Sequence, residues 1–238
     1  MVPHITDEIK RNVKLLGKKY NYDFVITEIG GTIGDIESAP YMEAIRQLKW
    51  ELGKKAVCVH LTYVPYLKAA GEVKTKPTQH SVKELQSVGI QPDILVLRTE
   101  MHLGDSIRKK VAAFCNVDFD CVIQSEDMPS IYEVPVGMQD QGLDTAILRK
   151  FGEPIGEKPG LGPWRKFLER RNNAKEEVHI GLVGKYDLQD AYKSIRESLY
   201  QAGTYNDRKT VLTFINSEKI NNENVGEMLA GQDGIVIC

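Results

Sequence analysis

The chain has 238 residues, 42% of them hydrophobic and 27% charged, with a formal net charge of −2. That length suits one large domain or two modest ones, each with a core of its own. A near-neutral balance with scattered lysines argues against a nucleic-acid footprint and against an anionic membrane surface. Cys58, Cys115, Cys121 and Cys238 lack CxxC spacing and lie in apolar runs, the pattern of buried thiols in a reduced, intracellular protein. No signal peptide and no apolar run of membrane length is recognised, so a cytoplasmic location is expected.

After Met1 the sequence enters Val2-Pro3-His4-Ile5-Thr6 without a preceding strand, as though the start lay inside a larger domain. Ile5, Ile9, Val13 and Leu16 recur at helical spacing, with Thr6 as the expected N-cap. Phe24 to Thr27 reads as a buried strand, and Tyr41, Ala44, Ile45 and Leu48 as an amphipathic helix beginning beside Pro40. Strands are predicted at Ala56 to Leu61, Ile94 to Leu97 and Cys121 to Ile123, and helices around Val82 and Leu85 and over Ser106 to Phe114. The rhythm predicts a mainly parallel sheet covered on both faces. Phe151 to Pro163 is rich in glycine and proline and reads as an interdomain linker or extended crossover, continuing through the charged stretch Arg165 to Glu177. A second α/β unit follows: strands His179 to Val183, Thr210 to Ile215 and Gly234 to Ile237, with helices near Ala191 to Gln201 and Val225 to Leu229.

In open parallel sheets, ligands bind beyond the carboxyl ends of the strands. Glu28, Thr62-Tyr63, Arg98, Glu126-Asp127 and Lys185-Tyr186 all follow predicted strands, which favours a single crevice. Gly30, Gly31 and Gly34 by themselves describe a tight turn. Glu28, Asp35 and Glu37 around them, with no basic residue interleaved, point instead to a cation or a donor-rich ligand. Lys74 to Ser81 places two lysines among hydroxyl and amide donors, as a phosphate would require, and reads equally well as a solvated loop capped by Ser81 and Glu84. The five histidines are dispersed without metal-ligand spacing, and Lys110 alone reads as solvated. The Gly-Lys pairs at 17, 53 and 184 lack the spacing of a Walker A loop.

The segments Glu28 to Ser38, Lys74 to Val82, Val2 to Thr6, Gly89 to Asp93, Ser130 to Pro135 and Gly184 to Tyr186 together resemble the signature segments of CTP synthase, in order along essentially the whole chain. The resemblance implies a P-loop-NTPase-like, mainly parallel synthetase (amidoligase) domain at 1–151, N-terminally truncated. A linker at 152–177 and the start of a class I glutamine amidotransferase α/β domain at 178–238 follow. It implies ATP-dependent amination of UTP to CTP with ammonia from glutamine. ATP phosphorylates the uracil 4-oxygen, ammonia displaces the phosphate, and a cation with fixed positive charge does most of the work.

Residue by residue, the resemblance makes Glu28 the Mg²⁺ ligand. Asp35, Ile36, Glu37, Lys74, Thr75, Lys76, Pro77, Thr78, Gln79 and Lys110 become the UTP and CTP contacts. Arg98, Glu126, Asp127 and Met128 become the ATP-adenine region. There the family pattern has lysine and valine around the aspartate, so Glu126 and Met128 are expected to act through backbone. The family's P-loop with its magnesium-sharing aspartate, and its glutaminase catalytic residues, match nothing in this sequence. The resemblance is therefore to the middle of such a protein, and the chain alone is expected to be inactive. GTP as activator and a homotetramer of the whole protein are further implications. The alternative readings are a non-catalytic pyrimidine-nucleotide-binding and oligomerisation module, and a different P-loop-related α/β enzyme, against which the Lys74 to Gln79 segment speaks.

Overall fold

The computed structural model describes residues 2–157, 160–186 and 190–238, and resolves into two units, Met1–Lys158 and Pro159–Cys238. The first unit opens with helices α1 (His4–Tyr20) and α2 (Ala39–Leu52), which pack together and are tied by Lys10 to Glu51 at 2.7 Å. Pro40 sits in the first turn of α2, where its missing N–H costs nothing. Thr6 is not the N-cap: Pro3 takes that position, and the fully buried Thr6 hydroxyl donates back to the Pro3 carbonyl at 2.9 Å.

Phe24 to Thr27 differs from the sequence reading. It pairs with no strand among the described residues, and Ile26 is 94% exposed. Apolar, β-branched content makes a strand only where a neighbour completes the ladder. Here the run is held by side chains, with the Phe24 ring edge-on to Phe151 at 5.4 Å.

The sheet of this unit is parallel, in the order β1 (Val59–Val64), β4 (Ile94–Thr99), β5 (Val122–Glu126), with a short antiparallel hairpin of β2 (Tyr66–Leu67) and β3 (Glu72–Val73) beyond β1. Helices α3 (Lys76–Ser87) and α4 (Asp105–Cys115) carry the crossovers, and α5 (Val134–Asp140) and α6 (Leu143–Phe151) follow β5. The central strand β4 is buried at Ile94, Leu95, Val96 and Leu97, and with Val64, Val82, Val111, Val122 and Ile123 forms one core. The Ser81–Glu84 cap does not form, because α3 already begins at Lys76 with Pro77 in its first turn. Burial pushes the thiol pKa of Cys58 and of Cys115 up to about 11, so both stay protonated near neutral pH.

In the second unit, β6 (Glu176–Gly184) is central, flanked in parallel by β7 (Arg208–Asn216) and β8 (Gly234–Ile237). Helices α7 (Gly162–Asn173), α8 (Lys193–Tyr205) and α9 (Val225–Met228) complete it. The charged stretch read as linker is thus largely helix α7, and it clusters with the second unit. Leu168 is its one buried residue among many exposed charges, too weak an apolar stripe to register as helical periodicity. Lys158 and Pro159, inside the predicted linker, lie outside the described residues. No helix among the described residues is long and apolar enough to cross a membrane.

Candidate nucleotide site at the carboxyl ends of the first sheet

The chain leaves β1, turns through the β2–β3 hairpin with Gly71 at φ +63°, and returns so that the Lys74 N–H donates to the Pro65 carbonyl at 2.9 Å. That bond sets Lys74 at the carboxyl end of β1. The first turn of α3 is then fixed from below. Thr78, fully buried, accepts from Thr62 of β1 at 3.0 Å and donates to the Tyr63 carbonyl at 3.3 Å. Thr75, also buried, accepts from the Gln79 amide at 3.1 Å. With these hydroxyls occupied by the fold, the exposed donors of the segment are the lysines and the free N–H groups of the helix start.

The Lys74 ammonium pairs with Glu72. That carboxylate is held below its ordinary pKa, first by the Lys74 hydrogen bond and also by the charge of Lys110 on α4. Lys74 and Lys110, 36 positions apart in sequence, therefore act on one locus. Lys76 and Lys110 have no ion-pair partner among the described residues, which leaves both charges available. Such a concentration of cation beside a helix N-terminus is suited to phosphate.

One turn of α3 further on, His60 of β1 meets the Ser81 hydroxyl at 2.9 Å, and burial lowers the imidazole pKa from its ordinary 6.5. The unfolded chain then takes up a proton that the fold refuses. Stability contributed by neutral His60 is complete above about pH 6.5 and is lost as pH falls through the lowered folded value. Urea denaturation at pH 7.5 and 5.5 is expected to show a loss on acidification that shrinks in His60→Gln. An identical loss in the variant would remove His60 from the account.

The turn after Ile29 is built from two glycines with φ of +85° at Gly31 and +98° at Gly34, a region that residues with Cβ rarely enter. Asp35 closes it, its carboxylate accepting the Thr32 N–H at 2.9 Å and its carbonyl accepting the Ser38 hydroxyl at 2.9 Å. Glu28, Ile36 and Glu37 are exposed, Ile36 at 87%. No hydrogen bond or ion pair among the described residues joins this turn to Lys74–Gln79 or to Arg98–Met128. Its membership of one site rests on the sequence, not on contact. Asp118, Asp120 and Cys121 lie close enough to share an ion. Lys150 and Arg149 already neutralise the two carboxylates, and Glu28 is not among them.

Beside the lysine locus, the carboxyl ends of β1 and β4 open into a cleft of about 730 Å³ lined by Leu61, Thr62, Tyr63, Arg98, Glu100 and Asp127. Arg98 Nε lies 3.6 Å from Asp127 Oδ1, and the Asp127 N–H is anchored on the Thr99 carbonyl at 2.9 Å. The Tyr63 hydroxyl donates to Glu100 at 2.6 Å, a bond to a carboxylate that raises the phenol's pKa. Glu126 turns away from the cleft, its Oε1 2.8 Å from His102 Nδ1 and 2.9 Å from the Gln124 amide nitrogen. Gln124, 3% exposed, is itself oriented by accepting the Leu103 N–H at 2.9 Å. Met128 seats its methyl over Gly137, where a Cβ would lie 2.7 Å away. Arg98 and Asp127 thus meet in the cleft, while the Glu126 side chain is engaged elsewhere. Sequence reasoning did not find Glu100, Gln124 or a partner for His102. Glu100 stands three positions from the last predicted strand residue, where no motif marks it.

The family model for the CTP synthase N-terminus matches residues 1–152, which contain every one of these groups. The chain belongs to the CTP synthase family. A CTP synthase of Bacteroides thetaiotaomicron is 73% identical to it over 239 aligned residues, one of Bacteroides fragilis 67% and one of Porphyromonas gingivalis 65%. Each alignment covers the whole chain but only 44–45% of the relative, so the chain spans less than half the length of these CTP synthases. The alignments extend through the second unit, so β6–β8 too have counterparts in the family.

Proposed function

We propose that this chain carries the nucleotide sites of an enzyme that aminates UTP to CTP, using ATP and ammonia derived from glutamine. The observation that supports it best is the Lys74–Glu72 pair just before α3, whose carboxylate also feels the charge of Lys110, next to the Arg98–Asp127 cleft on the same sheet edge. In this reading Lys74, Lys76 and Lys110 hold the UTP or CTP triphosphate, helped by the backbone N–H groups of Thr75 and Thr78 at the start of α3, while Pro77 and Gln79, whose N–H is held by the Thr75 carbonyl at 3.1 Å, line the same turn. Arg98 and Asp127 hold ATP, with Glu126 and Met128 acting through backbone. Asp35, Ile36 and Glu37 contact the pyrimidine nucleotide. ATP gives its γ-phosphoryl group to the uracil 4-oxygen, and ammonia then displaces phosphate, leaving CTP, ADP and phosphate.

Glu28 would be one oxygen ligand of Mg²⁺. It has no hydrogen-bond or ion-pair partner among the described residues, and the Cβ position on Gly30 leaves 3.8 Å to its Oε1. Magnesium commonly takes one or two carboxylates together with substrate phosphates. Residues 178–238 are read as the start of a glutamine amidotransferase domain, supported by the parallel β7–β6–β8 sheet. Residues 1–151 are read as the synthetase part, within a cytoplasmic homotetramer activated by GTP.

Thermal unfolding with magnesium and each nucleotide in turn tests the pyrimidine site. At 100 times its Kd a ligand adds ~2.7 kcal/mol, or roughly 5–10 °C for a unit of this size. UTP and CTP are expected to produce that shift. No shift with either at millimolar concentration would overturn the pyrimidine assignment.

A further inference from the structure

We propose that Tyr63, held by Glu100, is a specificity-determining wall of the cleft, and that the pair selects a purine base carrying an exocyclic amine. The inference rests on the reading of this sheet edge as a nucleotide site and assigns residues that the family resemblance leaves unassigned.

On β1 the exposed positions alternate: Val59, Leu61 and Tyr63 are 43, 64 and 46% exposed, whereas Thr62 and Val64 are buried. The Tyr63 side of the strand is therefore open. Register places Tyr63 beside Arg98, and Arg98 beside Ser125. Strands lie about 4.8 Å apart, so phenol and guanidinium stand side by side, two flat groups on neighbouring strands. One strand spacing between their backbones, added to the width of the two flat groups themselves, makes a surface longer than a single ring needs and suited to a bicyclic base.

Tyr63 is hydrogen-bonded at its outer end by Glu100 at 2.6 Å, and Arg98 is paired through its inner nitrogen Nε with Asp127 at 3.6 Å. Exposed tyrosine and arginine ordinarily sample several rotamers. Tethering removes that freedom before a ligand arrives, which is preorganisation for stacking. Glu100 uses one oxygen on Tyr63, and its other has no hydrogen bond among the described residues, which leaves an acceptor at that end of the cleft, opposite in character to the Arg98 donors. Carboxylates accept and do not donate. An amino group on the base edge is satisfied there, and a carbonyl oxygen in its place is repelled. The geometry therefore favours adenine over hypoxanthine.

Equilibrium dialysis of the full chain with Mg-ATP, Mg-ITP and CTP decides it, using wild type, Tyr63→Phe, Tyr63→Ala and Glu100→Gln. Wild type is expected to bind ATP more tightly than ITP. Tyr63→Ala should weaken ATP roughly tenfold or more and leave CTP unchanged. Tyr63→Phe, which keeps the ring, should retain most ATP affinity and shows that the position tolerates substitution. Glu100→Gln, whose amide can donate to a carbonyl, should bring the ATP and ITP affinities together. Absence of ATP binding by wild type, unchanged ATP affinity in Tyr63→Ala, or an unchanged ATP/ITP ratio in Glu100→Gln would each overturn the assignment. So would a parallel loss of ATP and CTP in Tyr63→Ala, which marks a clasp joining β1 to β4. CTP binding retained while ATP fails sinks this inference alone; ATP retained while UTP and CTP fail sinks the pyrimidine reading instead.

Discussion

Lys74→Ala is expected to weaken UTP and CTP binding by roughly 10- to 150-fold, the equivalent of ~1.5–3 kcal/mol for a lost charge-assisted contact. Lys74 is fixed through its backbone by the Pro65 carbonyl, so removing the side chain should leave the hairpin and the start of α3 in place. The present partner of its ammonium is Glu72, which a triphosphate would have to displace or share. Glu72→Gln therefore moves the other way: it frees Lys74 and removes a negative charge that also faces Lys110, and nucleotide binding should tighten. Opposite signs at two residues in hydrogen-bond contact are hard to explain by general destabilisation. Calorimetric titration at low and moderate salt is the measurement, since a phosphate contact weakens as salt screens it. Equal affinity in wild type and Lys74→Ala would remove the segment from the nucleotide site.

Leu97→Ala is expected to cost about 2–5 kcal/mol, lowering the melting temperature of the first unit by roughly 5–15 °C. Leu97 is fully buried in β4, which has β1 on one side and β5 on the other, so the void cannot collapse without moving the sheet. Leu61, also a leucine in a strand and a neighbour across the β1–β4 ladder through Val96, is 64% exposed. Leu61→Ala should stay within about 0.5 kcal/mol of wild type. Scanning calorimetry of the two variants side by side separates burial from strand propensity. Losses of similar size would show that Leu61 is covered in the working protein. Because Arg98 and Thr99 follow Leu97 directly, the larger loss should also loosen the cleft, and ATP affinity should fall with stability.

The alternation of apolar runs with helical spacing made the parallel sheet readable, since a buried central strand such as Ile94 to Leu97 can hardly be anything else. The segments Lys74–Gln79 and Glu28–Ser38 were readable as chemistry because their donors and carboxylates are contiguous in sequence. Boundaries were less so. α3 was placed several residues late because Ser81 and Glu84 imitate a cap, whereas Pro77 marks the true first turn. Phe24 to Thr27 has the composition of a strand and finds no ladder, because pairing depends on a neighbour and not on the run itself.

What the sequence alone determined is the class of the fold, the family and the residue types that gather at the strand ends. Those follow from local periodicity and from contiguous motifs. Only the tertiary structure decided which of those residues meet. The charge of Lys110 reaches Glu72, the partner of Lys74, because α4 comes to lie beside α3, and Tyr63 stands beside Arg98 because β1 and β4 pair in one register. Glu126 turns to His102 and Gln124 because a loop brings an imidazole across from the neighbouring strand. Lys110 and Lys74, Tyr63 and Arg98, and Glu126 and His102 are each separated by more than twenty positions in the chain. Proximity at that distance is set by packing and strand register, which no local pattern records.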